Sequence, residues 1–339
     1  MQQARQCYML RARFPLRGRA LNATNHELIT RAALGRLPPE YPLFKSQLDT
    51  IVFGNLVSDA NLGSSGVHFD NCAFREGLAR IANCSRLMES EKDRFSQRSL
   101  RAFGGLLHTT QDFYAHSNWV ELHKLKSPLP LWDQEMASLP AGILSGTIDR
   151  EEPKHCAPET PDHYLVNKDA AYSEQGKKVV SEGPNKGKSF FELAFETAVD
   201  ASIRQLGRFV SGVECYRVAT KTGQSLFSGT DAEVFIILHG GGKDTGIMRL
   251  NNAGANDFER GKTDTFLVGT AFYIGELEKI TVGYGVGPDA GMLPGWYLDE
   301  VVVERLDGTG SWKFKCGRWL AKGEGDQKTV VELRPEPAP

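Results

Sequence analysis

Apolar and polar positions follow two different periods along this chain, and the period changes once, near Gly212. Before that point the spacing is helical. Residues 26–34 carry apolar side chains three and four apart, with Asn22 and Thr24 as caps. Residues 96–122 form the strongest helical segment, with Leu100, Phe103, Leu107, Gln111 and Tyr114 along one side. Residues 190–210 make another long amphipathic run with no internal proline. Between them, residues 124–188 are rich in Pro, Gly, Ser and Lys, which predicts long loops with short helical turns.

After Gly212 the period is two. Alternation runs through segments beginning at Tyr216, Ala232, Thr265, Lys279 and Glu300, separated by glycine-rich turns at 240–244 and 306–310. Short strands at regular spacing with such turns describe an antiparallel β-sandwich. The expected architecture is multidomain α + β: a mostly helical domain over 1–211, then a sandwich over 212–339.

Composition changes this picture little. A chain of 339 residues suits two cores better than one. With 40% apolar and 24% charged residues it reads as an ordinary globular protein. A formal charge of −2 supplies no basic field for nucleic acid. The start is basic (Arg5, Arg11, Arg13, Arg17, Arg19) but has no apolar core of a cleavable signal, and no stretch is apolar for long enough to span a bilayer. The expectation is a product made in the cytoplasm, for which a dedicated export system is the route to a target membrane. The six cysteines contain no CxxC pair, which argues against a thiolate zinc site; free buried thiols, or one or two bridges such as Cys72 to Cys84, are both open.

Chemistry enters with residues 106–121. His108, Asp112 and His116 stand at i, i+4 and i+8, stacked on one helical face and flanked by Phe103, Leu106, Leu107, Phe113 and Trp119. A buried His/Asp row is costly unless each group has a partner, so a metal centre is the first hypothesis. His26, Asp59 and His68 lie upstream, each beside bulky apolar residues. Four of the eight histidines thus share this setting, and imidazole with carboxylate suits zinc. His123 and His163 read as surface histidines, with leaving-group protonation as their alternative role.

The segments around His26 (HELIT), Asp59 (GNLVSD), His68 (VHFDN) and His108 (LHTTQDFYAHSNWVE) resemble the heterokaryon-incompatibility Het-C family and its animal von Willebrand A-domain relatives, over roughly residues 22–210. That family is similar to the zinc-dependent phospholipase C and S1/P1 nuclease superfamily. The resemblance implies that His26 and Asp112 hold one zinc, and that Asp59, His68, His108 and a bridging Asp112 hold a second. His116 corresponds to a ligand of a third zinc, which superfamily enzymes complete with an HxxxE pair absent from this chain. Glu121, Glu192 and Glu196 are the substitutes, none at matching spacing. An N-terminal amine ligand is not expected, because some two dozen residues precede His26. Zinc lowers the pKa of bound water from 15.7 towards about 7; Asp59 is the expected group for orienting or deprotonating that water.

Downstream, the motifs around Ala232, Asp244, Phe258, Trp296 and Trp319 recur in the order of a PLAT domain, across about 213–335. The resemblance implies calcium binding through loop carboxylates, for which Asp231, Asp244 and Asp264 are candidates; solvated turn aspartates are the alternative. Met292 and Leu293 sit in a turn marked as exposed. They either dip into a lipid interface, or cover the sandwich edge, or pack on the helical domain.

The leading expectation is a zinc-dependent, phospholipase C-like phosphodiesterase that the PLAT domain docks on a phospholipid surface, in the manner of a toxin or secreted effector. The alternative is a non-catalytic membrane-binding or toxin module that retains a partial, structural metal site. A single-strand nuclease is disfavoured by the PLAT domain and the missing basic groove.

Overall fold

The computed structural model describes residues 23–36, 43, 45–60, 63–252, 254–285 and 295–337. Its first part is helical: α1 (Ala23–Leu34), α2 (Lys45–Asp59), α3 (Ser65–His68), α4 (Phe74–Ser90), α5 (Gln97–His116), α6 (Trp119–His123), α7 (His163–Val166) and α8 (Phe190–Val210). The run expected over 96–122 is two helices, because the chain turns extended at Ser117 (ψ 165°) before α6 begins. Ser96 caps α5 through its hydroxyl, which accepts from the Ser99 amide at 3.2 Å.

α5 is the central helix, packed between α2, α4 and α8. Two glycines decide how closely α2 lies on it. A Cβ at Gly104 would collide with the Ile51 carbonyl, and one at Gly54 with the Arg101 carbonyl. Their absence lets the two backbones touch, which brings the C-terminal half of α2 against His108 and Asp112. Stacked Phe103–Phe209 (4.3 Å) and Phe113–Trp132 (4.1 Å) fill the core around this crossing.

The second part is an antiparallel β-sandwich. One sheet has the order β5 (Thr263–Thr270), β1 (Glu214–Thr222), β7 (Trp296–Arg305), β8 (Ser311–Leu320). The other runs β3 (Lys243–Asp244), β2 (Val234–Gly240), β6 (Leu277–Tyr284), β9 (Val330–Leu333), with β4 (Met248–Leu250) also on β2. Val218, Ile236, Ile280, Val301 and Phe314 face inward between the sheets, fully buried. Trp296 shares that core and donates from its indole to Thr222 at 3.0 Å. It is a packing residue.

The two parts share a seam. Phe95, Phe209, Val213, Cys215 and Leu267 form part of one continuous apolar cluster. The buried Asp93 carboxylate accepts from the amides of Gly269 (3.0 Å) and Phe95 (2.9 Å), while the Arg94 amide donates to the Gly269 carbonyl at 2.7 Å. A cleft of about 780 Å³ runs along this seam, lined by Gln47, Arg98, Arg249 and Asp257 among others.

Of the two readings left open for the cysteines, one bridge forms, with a different partner from the Cys72–Cys84 example. Cys72 bonds Cys156, and Cys84 is a free buried thiol in α4. Ten residues of helix separate Phe74 from Cys84, about 15 Å of rise, which carries that thiol away from Cys72. Among the described residues no helix is long and apolar enough to cross a membrane. The basic N-terminus and the Met292–Leu293 turn lie outside the described residues.

Candidate metal centre

Asp112, on α5 and almost wholly buried, is the hub of the site. Its Oδ1 lies 3.1 Å from His26 Nε2. Its Oδ2 lies 3.0 Å from His68 Nδ1 and 2.9 Å from His108 Nε2, and those two nitrogens are 3.2 Å apart. Asp59, at the end of α2 and 29% exposed through its side chain, approaches His26 at 4.0 Å. The five groups that the resemblance assigns to the first two zincs therefore lie together, with Asp59 at the margin. His116, one turn further along α5, stands 4.0 Å from Asp112 Oδ1 and turns towards a second cluster.

The imidazoles are aimed by amides that the sequence reading passed over. His26 Nδ1 meets Gln111 Oε1 at 2.7 Å. Gln111 is itself held by its amino group on Thr30 and Ser202. His108 Nδ1 meets Asn55 Oδ1 at 3.3 Å, and Asn55 is held on Thr30 and Gln111. Amide oxygens only accept, so in the neutral rings both Nδ1 atoms carry the proton and both Nε2 lone pairs point at Asp112. A lone pair facing a carboxylate oxygen is repulsive unless a proton or a cation lies between. The arrangement fits zinc: tetrahedral donors at about 2.0–2.1 Å from zinc sit roughly 3.3 Å apart, close to the observed 2.9–3.2 Å among His68, His108 and Asp112.

Electrostatics follow from burial and proximity. Burial pushes His108 down to about 4, helped by the neighbouring His26 and His68 against the pull of Asp112. Burial also opposes charge on His26, but the Asp112 charge and the hydrogen bonds to Asp112 and Gln111 hold it up at about 9. Burial would raise Asp112, yet His108, His116 and His26 keep it well below the usual carboxylate range. Asp59 is raised by burial, partly offset by His26.

The second cluster was not expected. His116 Nε2 lies 2.9 Å from Asp169 Oδ1, and its Nδ1 lies 3.4 Å from Asp70 Oδ1 and 2.9 Å from the His68 carbonyl. His163 Nδ1 lies 2.7 Å from Asp70 Oδ1, and its Nε2 lies 3.7 Å from Asp169 Oδ2. His163 is thus a cluster member and not a surface histidine; its ring meets that of His116 edge-on at 4.6 Å. His123 fits the surface reading better, with its ring on Trp119 and Nδ1 on the Trp119 carbonyl.

The expected substitutes are occupied elsewhere. Glu192 closes a capping box with Ser189, Glu196 pairs with Lys188 at 2.6 Å, and Glu121 receives Lys168 at 3.1 Å and Gln175 at 2.6 Å. They are bound by local needs of their own helices and loops.

Backbone strain marks the turn that presents Asp70. Phe69, Asn71 and Cys72 all have left-handed φ (58°, 53° and 56°), uncommon for residues with a Cβ. Asn71 holds this turn to the long loop: its amide group donates to the Ile148 and Glu151 carbonyls and accepts from the Ile148 amide at 2.7 Å. The Cys72–Cys156 bridge adds a covalent tie. Lys168, fully buried, donates to the carbonyls of Ser117 and Val166 and to Glu121, which fixes the segment bearing Asp169 against the end of α5.

The calcium candidates do not gather. Asp244 lies beyond the far end of β2 from Asp231, while the Thr230 amide on the Phe258 carbonyl (3.3 Å) links the Asp231 loop to the one that Asp264 holds. Asp244 accepts from the Gly246 amide and Asp264 from the Phe258 amide, each at 2.7 Å. Turn aspartates of this kind satisfy their own loops.

Comparison with known proteins agrees with a two-part chain. The PLAT/LH2 domain model matches residues 216–332, so the sandwich is a PLAT domain. The VWA7 N-terminal domain model matches residues 25–141, on the von Willebrand side of the resemblance rather than as Het-C or zinc phospholipase C. Lipoxygenase homology domain-containing protein 1 of Mus musculus is 40% identical over 119 residues, 35% of this chain and 6% of that protein. Polycystin-1 of Homo sapiens is 33% identical over 117 residues, 34% of this chain and 2% of that protein. The chain therefore spans only a small fraction of these relatives. Among solved structures, Clostridium absonum alpha toxin is 13% identical with a TM-score of 0.28, covering 93% of this chain and 99% of that one. Coral 8R-lipoxygenase is 26% identical with a TM-score of 0.30, covering 36% and 17%. Scores this low carry no argument about fold or chemistry.

Proposed function

We propose that this chain is a peripheral lipid-surface protein whose helical domain is built around a buried divalent-metal centre. The observation that carries the metal half is Asp112, with both oxygens turned to imidazoles from three separate helices, two of which (His26 and His108) have their far nitrogens pinned by Gln111 and Asn55. The ligands are His26, Asp59, His68, His108 and Asp112. The second half rests on the PLAT domain, a module pointing to lipid or protein interaction, and on its β1–β2 loop. There Leu226 and Phe227 are 65% and 79% exposed, and Phe227 holds φ at 63°. Two bulky apolar side chains at a loop tip, one on a strained backbone, gain nothing in water and suit insertion into an interface. The loop lies beside Tyr297, whose amide donates to the Ser228 carbonyl at 3.0 Å.

One observation favours a second, catalytic reading. Asp112 divides its oxygens between His26 and the His68–His108 pair, and three donors (His26, His108 and Asp112) lie close enough to share one ion, which is the count of catalytic rather than closed structural zinc sites. Asp59 is the most exposed of the five and stands at the lip. When bound, zinc would supply Lewis-acid charge and a nucleophile at neutral pH for phosphodiester hydrolysis. Asp59 would then hold and orient the attacking water's proton, while Gln111 and Asn55 keep the imidazoles aligned.

Liposome co-sedimentation and headgroup release separate the readings. Binding to phospholipid vesicles that survives Asp59→Asn, with no phosphorylated headgroup released by either protein, supports the docking module. Headgroup release that Asp59→Asn abolishes while metal is retained supports the hydrolase. Absence of vesicle binding contradicts both.

A further inference from the structure

We propose that Asp70, His116, His163 and Asp169 form a separate site for one divalent cation, assembled from α5, the strained turn after α3 and the loop around α7. Only His116 has a counterpart in the resemblance; the other three come from the sequence's least periodic region or from an unremarked position.

The argument is one of proton counting. The four side chains close a ring in which each imidazole has one nitrogen towards Asp70 and the other towards Asp169. His116 Nδ1 also faces the His68 carbonyl at 2.9 Å, an acceptor only, so a neutral His116 carries its proton there. Its Nε2 lone pair then faces Asp169 Oδ1 at 2.9 Å. Likewise, a neutral His163 donates from Nδ1 to Asp70 at 2.7 Å and turns an Nε2 lone pair to Asp169. Lone pairs converge on one carboxylate, with Asp70 placed behind His163 as the orienting partner common around metal sites. Either an extra proton sits on each ring, or a cation sits among them.

The scaffold favours the cation. Asp70, His116 and His163 offer ligand atoms all within 4.8 Å of one another. Three devices hold them there: the Cys72–Cys156 bridge, the Asn71 bonds to the loop and the buried Lys168. Two imidazoles with the Asp169 carboxylate, and Asp70 orienting His163 from behind, form a borderline set that suits zinc, with manganese or ferrous iron next. His163 and Asp169 each keep 20% side-chain exposure, so an ion has a route in.

The test is equilibrium dialysis of the full chain against zinc, with metal counted per chain and cobalt absorption as a second readout. The expected result is one equivalent fewer in His163→Ala and in the isosteric Asp169→Asn, with far-UV dichroism unchanged and the Asp112-centred cobalt band retained. His108→Ala should lose metal from the Asp112 centre and keep this one. An unchanged count in both His163→Ala and Asp169→Asn overturns the proposal and leaves a proton-held ion-pair ring. Loss of all metal in Asp169→Asn also overturns it, because the site is then not separate. Failure of the Asp112 centre would show differently, as an unchanged count in His108→Ala.

Discussion

The two parts of this chain bury opposite chemistry. The sandwich closes over aliphatic and aromatic side chains, and its buried polar groups are mostly hydroxyls such as Thr220 and Thr222, with Arg305 paired to Glu214 at 2.8 Å. Its one histidine, His239, is half-buried and bonded to Thr281. The helical domain instead buries His26, His68, His108, His116, Asp70, Asp112 and Lys168. Burying charge costs several kcal/mol per group unless it is paired. The sandwich folds mostly on apolar area, whereas the helical domain pairs its buried imidazoles and carboxylates with one another around the proposed metal centre. The difference teaches that metal should matter to one half and not the other.

The largest expected effect breaks that contrast directly. Asp112→Ala leaves buried imidazoles without their hub, and should destabilise the helical domain by about 3–5 kcal/mol. Calorimetry should show its transition lowered while that of the sandwich stays in place. Next, Cys156→Ser frees the loop that carries His163. A loss of about 2–4 kcal/mol is expected, again confined to the helical part, and read by urea denaturation.

The seam gives a smaller, pH-dependent effect. Burial pushes Asp93 from 3.8 up to about 7, against the hydrogen bonds from Gly269 and Phe95. A folded-state value raised above the unfolded one means stability that is full below 3.8 and lost as pH rises through about 7. Docking of the two parts should therefore be firmer at pH 5 than at pH 8, by roughly 1–3 kcal/mol, and Asp93→Asn should flatten the difference. Limited proteolysis at the two pH values reads it. Smallest is Phe227→Ser, which should weaken vesicle binding by about tenfold, or about 1.4 kcal/mol, without moving either thermal transition.

The legibility of the two parts also differs, for a physical reason. α8 spans the same residues, Phe190–Val210, as its amphipathic run, and the stripe of His108, Asp112 and His116 is visible because helical spacing is regular. β1, β2, β5, β6 and β7 are readable from their alternation, whereas β8 and the short β3, β4 and β9 are not among the alternating segments. His163 and Asp169 were not readable, because they belong to a proline- and glycine-rich stretch held by a disulfide, by Asn71 and by Lys168, none of which leaves a period. Asp70 stood inside the segment that identified His68, and its role depends on a left-handed turn that residue types do not announce. Asn55 and Gln111 look like neutral amides until their oxygens are seen to select the imidazole tautomers. An Asp-His pair followed by a Lys-Asp pair around apolar Val166 and Ala170 was the available clue to the second cluster.

The central claim is that the charge buried around Asp112 is balanced by divalent metal. X-ray absorption at the zinc edge, on the 339-residue chain purified without added metal, tests it most directly. The account predicts stoichiometric zinc with nitrogen and oxygen neighbours at about 2.0–2.1 Å and outer-shell scattering from imidazole rings. Protein that is folded, and free of zinc or any other divalent metal at that stoichiometry, would contradict it.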